Sequence, residues 1–270
     1  MKKIREQSTA SAEPVKHRRR DGEGSPGSTE TEKEFLRQYD PTIYDRPNTT
    51  VDVVIFTVLD HKLQALLVKR DDHPFKGRWA LAGGFVDLDK DRDLEAAARR
   101  KLREKTGVKT PYLEQLGAVG GPKRDPRGWS VSVAYFALLP NEGLELSPGQ
   151  GAAEVKWAPV IDGKAPDKLA FDHAEILAAA TERLKNKVLY TSLPVHLMPG
   201  PFTLGELQKV YELILGARLE HKSFRRRILG ADLLEETEEF RHEAKRPARL
   251  YRLRENHGAH FFIRNLEGVG

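Results

Sequence analysis

Lys101, Glu104 and Lys105 are the residues of this chain whose types and spacing bear most directly on chemistry. They fall in the stretch GGFVDLDKDRDLEAAARRKLREKTGV, residues 83–108. Side chains three and four positions apart are neighbours on a helix, so the three share one face. A hard divalent cation such as Mg²⁺ needs carboxylate oxygens and water. Two ammonium groups beside one carboxylate repel such an ion, and the Lewis-acid chemistry it supplies is lost with it. The plainer reading of the same residues is a solvated, charged helix surface.

The local sequence puts these residues on a helix. Gly83 and Gly84 end a strand-like run over residues 79–81 and open an acidic loop. Asp93 is a good N-cap, Leu94, Ala98 and Leu102 recur every four residues, and Gly107 stops the helix. This frame resembles the Nudix box, the signature of enzymes that cleave nucleoside diphosphates linked to another group. That signature runs Gly, five residues, Glu, seven residues, then Arg-Glu-apolar-any-Glu-Glu-any-Gly-apolar. Here its last part is Arg100-Lys101-Leu102-Arg103-Glu104-Lys105-Thr106-Gly107-Val108. Lys101 and Lys105 stand where the family has metal-binding glutamates, and Glu104 survives. Lys90 takes the place of the first glutamate, and two extra residues precede Arg100. The resemblance implies a Nudix fold without its metal site.

The whole chain bounds the reading. Its 270 residues are 39% hydrophobic, room for one large domain or two modest ones with a proper core. A net charge of +5 and a pI near 9.2 permit a nucleic-acid partner without requiring one. There are no cysteines, which excludes disulfides and thiolate metal sites and fits a reducing cytoplasm. No apolar run approaches the length of a membrane span, and the N-terminus lacks the apolar core of a signal peptide. The expectation is a cytoplasmic protein with no membrane partner.

Taken in order, residues 1–34 read as a disordered tail, polar and too poor in apolar surface to order itself. Its basic cluster His17-Arg18-Arg19-Arg20 is assigned no site. Residues 51–59 and 63–70 read as strands joined by an Asp60-His61-Lys62 turn. After the box helix, residues 112–119, 130–139 and 154–160 read as strands, with a long polar loop over residues 120–129. Residues 170–187 have the spacing of an amphipathic helix, with Ile176, Leu177, Ala180 and Leu184 on one side. Strands interleaved with two helices predict an α/β/α sandwich around a mixed sheet, over residues 35–192.

Residues 194–201, with three prolines and a glycine, read as a linker. Thr203-Leu204-Gly205-Glu206 is then a capping box, and Leu207, Val210, Tyr211, Ile214 and Leu215 continue a helix that Gly216 stops. In the next helix Phe224 and Ile228 face a core, which leaves Lys222, Arg225, Arg226 and Arg227 mostly outward. Strand-like residues 233–241 and 248–254 flank Lys245-Arg246-Pro247. Helix, turn, basic helix and basic hairpin are the order of a winged helix-turn-helix, assigned to residues 193–270.

Two further stretches sharpen the resemblance: Arg124-Asp125-Pro126-Arg127-Gly128-Trp129-Ser130 and Ala170-Phe171-Asp172-His173. With the altered box, the Lys222-Ser223-Phe224-Arg225-Arg226-Arg227 helix and the Arg246-Pro247-Ala248-Arg249-Leu250-Tyr251 wing, they make the chain from Glu34 onward similar to the Nudix-related transcriptional regulators of NAD metabolism, the NrtR family. The resemblance implies a homodimeric bacterial repressor that binds double-stranded operator DNA of NAD biosynthesis or salvage genes. It also implies that a small nucleotide effector, ADP-ribose or a relative, is sensed with no cofactor and no metal. The competing reading is an active Nudix hydrolase such as an ADP-ribose pyrophosphatase, against which Lys101 and Lys105 weigh. A third, a nucleotide-binding module with a basic tail for protein contacts, is weakened by the pairing of basic helix and basic wing.

On that resemblance the loops around the box form the pocket. Lys101 and Lys105 can neutralise a pyrophosphate, and the guanidinium forks of Arg70 and Arg127 suit phosphate oxygens. Phe75, Trp79, Phe85 and Trp129 can stack on adenine, although Trp79 reads equally as core. Lys76, Gly83, Gly84 and Glu104 complete the set. His173 reads as a packing or capping residue at a helix start. In the winged part Ser223 and Arg225 are placed as base readers and Arg226, Arg227 and Arg246 as phosphate contacts, with Lys222 and Arg249 beside them.

Overall fold

The computed structural model describes residues 31–106, 112–142, 146, 148, 151–242, 247–254 and 259–262. Gly107, Arg246 and the His17 to Arg20 cluster lie outside the described residues. The chain divides into two units between Arg46 and Pro47. In the first, helix α1 (Glu32–Gln38) begins inside the stretch read as tail, because Thr31 and Glu34 form a reciprocal capping box. None of its side chains is buried.

The second unit is built on β1 (Asn48–Leu59), a strand long enough to serve two partners along one edge. Its first half pairs antiparallel with β4 (Ala82–Phe85) and its second half antiparallel with β2 (Lys62–Arg70). The other edge runs parallel to β6 (Ser130–Leu138). β5 (Tyr112–Gly121) extends the sheet beyond β6, and β3 (Trp79–Ala80) and β7 (Ala152–Pro159) pair with β2. Asp60 and His61, at φ 51° and 56°, make the tight turn expected between β1 and β2.

Alternation along β1 sorts the core into two layers. Val51, Val53 and Ile55 pack with Ala97, Ala98 and Leu102 of α2 (Leu94–Thr106). Val54 and Phe56 pack with Ile176, Leu177, Ala180 and Leu184 of α3 (His173–Val188) on the opposite face. Asp93 caps α2 as expected, its Oδ1 accepting the Ala96 amide at 2.7 Å. The glycine pair, by contrast, does not end a strand. Gly83 sits inside β4 opposite Asp52, where a Cβ would stand 2.3 Å from Asp52 Oδ1 and 2.6 Å from the Val51 carbonyl oxygen. Close approach of backbone to a side chain, not a turn, demands glycine there.

The first half of the segment read as a linker, residues 194–197, is part of the core. Leu193–Leu197 forms a 3-10 helix in which all five residues are buried. The α3-side cluster continues through Leu193, Val195 and Leu197 into Leu207, Tyr211, Phe224 and Ile228. These last come from α4 (Leu204–Leu215) and α5 (His221–Gly230). The capping box at Thr203 and Glu206 starts α4, and Gly216 at φ 71° ends it. β8 (Leu234–Arg241) and β9 (Ala248–Leu253) form the wing, and Phe202 adds to it through mutual backbone bonds with Tyr251 at 2.9 and 2.8 Å. The last described residues return to the end of α3: Phe262 N donates to the Tyr190 carbonyl at 2.8 Å and Ser192 N to that of His260 at 3.0 Å. Among the described residues no helix is long and apolar enough to cross a membrane.

A shared core predicts shared unfolding. The Tyr211 hydroxyl, fully buried, donates to the Thr191 carbonyl at 3.0 Å. Tyr211→Phe should lower the unfolding free energy by about 1–3 kcal/mol. All three tryptophans, Trp79, Trp129 and Trp157, lie in the sandwich. Their fluorescence in a urea melt should shift its midpoint with unchanged slope. A tryptophan transition unmoved by Tyr211→Phe would show that the two parts unfold separately.

Candidate functional site

A buried polar network lies where β1, β4, β6 and the start of α3 meet. Asp52 is its centre, 5% exposed. Its Oδ2 accepts from the Ser132 hydroxyl at 2.6 Å and from Arg124 Nη2 at 3.3 Å, and His173 Nε2 lies 3.4 Å from Oδ1. His173 Nδ1 accepts the Leu81 amide at 2.9 Å, which leaves Nε2 to carry the ring proton toward Asp52. Burial opposes the charge on Asp52, yet His173, Ser132 and Arg124 hold its pKa at about 2. Arg124 also grips Asp172 with two bonds of 2.8 Å. The two motifs around residues 124–130 and 170–173 are therefore one interaction: the first supplies the guanidinium, the second its carboxylate and imidazole.

This network holds Phe171 in place. Phe171 and Phe75 both adopt left-handed backbone, φ 53° and 61°, a conformation uncommon for bulky residues and often found at functional sites. Their rings meet edge to face at 4.8 Å, and the Arg70 guanidinium sits 4.9 Å from the Phe171 ring. Arg70 Nε donates to the Pro74 carbonyl at 2.7 Å. Burial and the neighbouring positive charge of Arg127 push the Arg70 pKa down. Arg127 is paired with buried Asp125 at 2.7 Å and lies 4.8 Å from the half-exposed Phe85 ring. Two guanidinium groups thus lie near each other, each over an aromatic face, Arg70 over Phe171 and Arg127 over Phe85.

The box sits beside this cluster. Asp91, with a side chain 1% exposed, bonds Arg100 Nε at 2.7 Å and Nη2 at 2.5 Å and accepts the Asp87 amide at 2.8 Å. The Arg100 bonds outweigh burial and hold the Asp91 pKa at about 2. Arg100 also reaches Glu104 at 3.0 Å, and Lys101 Nζ lies 3.3 Å from the other Glu104 oxygen. Lys101 packs over Gly84, where a Cβ would meet its Cε at 3.2 Å. The metal of a Nudix hydrolase does not fit these residues. Glu104 is engaged by two cations, Lys90 is bonded to Asp87 at 2.8 Å, and among the described residues no three Asp, Glu or His side chains converge.

Four of the expected pocket residues stand apart from the cluster. Lys105 is 5% exposed and donates to the Pro148 carbonyl, and burial lowers its pKa. It lies on the buried stripe with Ala98 and Leu102, so its ammonium faces protein. The Trp79 ring lies under Lys156 Nζ at 4.1 Å and Lys69 Nζ at 5.7 Å and packs against the α3-side core. Lys76 is exposed and 3.8 Å from Asp71. Trp129 is half exposed and packs over Gly120. Asp52, Phe171, Arg124 and Asp172 carried no assignment from sequence.

The second set of candidates lies on α5. Glu220 caps the helix, accepting the Lys222 and Ser223 amides at 2.9 and 2.6 Å. Phe224 and Ile228 are buried, and the Phe224 ring meets Tyr211 at 5.1 Å. Lys222, Ser223, Arg225 and Arg226 are exposed on the outer face. Arg227 is not: it donates to the Leu189 carbonyl at 3.2 Å and stacks 4.1 Å from the Phe262 ring. The wing also departs from expectation. β8 carries Glu235, Glu236, Glu238 and Glu239, and Arg252 and Arg249 pair with the first two at 3.3 and 3.0 Å. Two of these four glutamate charges are thus compensated by β9.

A mixed sheet between two helices, continued through one core into a helix-turn-helix with a wing, defines a Nudix-type sandwich joined to a winged helix. The NUDIX domain matches residues 48–180 and the NrtR DNA-binding winged helix domain residues 194–253. The ADPR responsive transcriptional repressor NtrR of Acinetobacter baylyi is 49% identical over 222 residues, 82% of this chain and 88% of the relative. Shewanella oneidensis NrtR, solved with a 27mer DNA, superposes with a TM-score of 0.74 at 46% identity, covering 81% of this chain and 99% of that one. The NUDIX domain of the same protein, solved with ADP ribose, gives a TM-score of 0.54 at 46% identity over 57% of this chain and 99% of that one. The chain belongs to the NrtR family of transcriptional repressors.

The Asp91–Arg100 pair yields a pH test. A carboxylate held below its unfolded value of about 3.9 stabilises the fold at neutral pH and loses that contribution as pH falls toward the folded value. Asp91→Asn should cost on the order of 2 kcal/mol at pH 7. The gap to the parent should close as the pH falls through the folded value of about 2. Urea melts across this range decide it; a gap independent of pH would mean that the pair contributes no charge-linked stability.

Proposed function

We propose that this chain is an ADP-ribose-responsive repressor that acts as a homodimer on operator DNA of NAD biosynthesis or salvage genes. What carries the reading is the union, through one core, of a cationic aromatic cluster with no metal donor set and an exposed basic helix. Arg70, Arg127 and Lys101 take the pyrophosphate, and Phe75, Phe85 and Phe171 take the flat base. Gly83 and Gly84 let the main chain approach, and Lys76 stands at the rim. Lys105 and Trp79 support from within rather than touch the effector. No cofactor is needed. On DNA, Ser223 and Arg225 read bases while Lys222 and Arg226 meet phosphates. Arg249, half neutralised by Glu236, contributes less.

The same cluster does not hydrolyse its ligand. Hydrolysis in a Nudix site draws on a metal template, and Glu104 between Arg100 and Lys101 offers a poor one. Purified protein incubated with ADP-ribose and Mg²⁺ or Mn²⁺ should release no more than trace AMP by chromatography. Rapid metal-dependent release, abolished by Glu104→Gln, would instead establish an enzyme.

DNA binding is tested by gel shift on the region upstream of the chain's own gene. Arg225→Ala should weaken binding by about 1–3 kcal/mol and relax sequence preference. ADP-ribose should weaken binding of the parent, and by linkage the DNA should weaken ADP-ribose binding by the same factor. Equal ADP-ribose affinities with and without saturating DNA would sink the sensing role.

A further inference from the structure

Of the three consecutive arginines of α5, Arg227 is the one that turns away from the outer face. Its guanidinium donates to the Leu189 carbonyl and its Cζ lies 4.1 Å from the centre of the Phe262 ring, itself fixed by its amide bond to Tyr190. Leu189 is the C-cap of α3. Carbonyls at a helix C-terminus carry partial negative charge and suit a cation. The aromatic face adds a second attraction. A phosphate contact would have to break both.

The other end of α3 reaches the effector cluster. Asp172 precedes the helix and is held by Arg124, and Phe171 before it carries Arg70 and meets Phe75. The 16 residues of α3 therefore span about 24 Å between the cluster and Arg227. Its buried side, Ile176, Leu177, Ala180, Leu184 and Val188, is packed into the core along its length, so it shifts as a body.

We propose that Arg227 is a positioning residue: with Phe262 as its platform it latches the DNA-reading helix to the end of α3, and this latch carries the effector signal from the Phe171 end. The proposal rests on the effector-responsive repressor reading. It also gives the C-terminal segment His260 to Phe262 a part in regulation, because that segment supplies the platform.

The test uses the full chain, its own upstream DNA and ADP-ribose. Arg227→Met, Arg227→Lys and Phe262→Ala are compared with the parent and with Arg226→Ala, each checked by thermal melt. Two quantities are read: the slope of log affinity for DNA against log salt, and the ratio of DNA affinities without and with saturating ADP-ribose. Arg226→Ala should flatten the slope by about 0.9 and keep the ADP-ribose response. Arg227→Met and Phe262→Ala should keep the parent slope, while their ADP-ribose response falls from roughly 5–150-fold to less than about twofold. Arg227→Lys, which keeps the charge but not the guanidinium that bonds Leu189 while lying over the ring, should also lose the response. If Arg227→Met flattens the slope like Arg226→Ala, with Arg227→Lys and Phe262→Ala still responding normally, Arg227 is a phosphate contact and the latch is refuted. Should Arg227→Met fail to fold, Arg227→Lys and Phe262→Ala decide by their response. A parent that binds no DNA, or ignores ADP-ribose, overturns the repressor reading itself and the latch with it.

Discussion

The ionised carboxylate of Asp52, shut away from water in the middle strand of the sheet, constrains everything around it. A buried charge costs several kcal/mol unless it is fully bonded. Its partners come from three separate segments: Ser132 on β6, Arg124 in the loop before β6, and His173 at the start of α3. Satisfying one group thus pins a strand, a loop and a helix end. Gly83 must be glycine because the same carboxylate crowds it. Arg124, once held, holds Asp172, and Phe171 beside it adopts a left-handed conformation with its ring against Phe75.

Beside that anchor the box helix α2 carries its charges in pairs. The Arg100 to Asp91 bond keeps the acidic loop folded onto α2, as a frame would require whatever the chemistry. Lys101 and Lys105 change what the frame faces. One ammonium lies at the surface against Glu104; the other is spent inside on the Pro148 carbonyl. Arg70 and Arg127 repel one another nearby, which with burial lowers the Arg70 pKa.

Features set by local rules were legible in the sequence. The caps at Asp93 and Thr203, the β1–β2 turn and the two helix stripes depend on residues within a few positions of each other. The network of Asp52 was not, since its partners are up to 121 residues away and Asp52 itself looks like one more polar residue in a strand. Lys105 and Arg227 were misjudged for one reason. Each continues a buried stripe, after Ala98 and Leu102 or after Phe224, and a long side chain at such a place can bury its stem and find an internal partner. Composition also misled at residues 194–201. Prolines there suit a 3-10 turn as well as a tether, and the alternating Leu193, Val195 and Leu197 were the sign of burial.

The buried Leu193–Leu197 layer has a consequence for how such a chain can change over time. A flexible tether would let the two halves be exchanged like separate parts, each keeping its own stability. Here Leu193, Val195 and Leu197 are interior to both at once, and Tyr211 of one half closes on Thr191 of the other. A recombined chain that kept either half intact would meet a mismatched surface at the seam. Sandwich and winged helix must therefore drift together, each substitution at the seam answered across it, and transplanting one half onto a foreign partner requires redesigning that layer first.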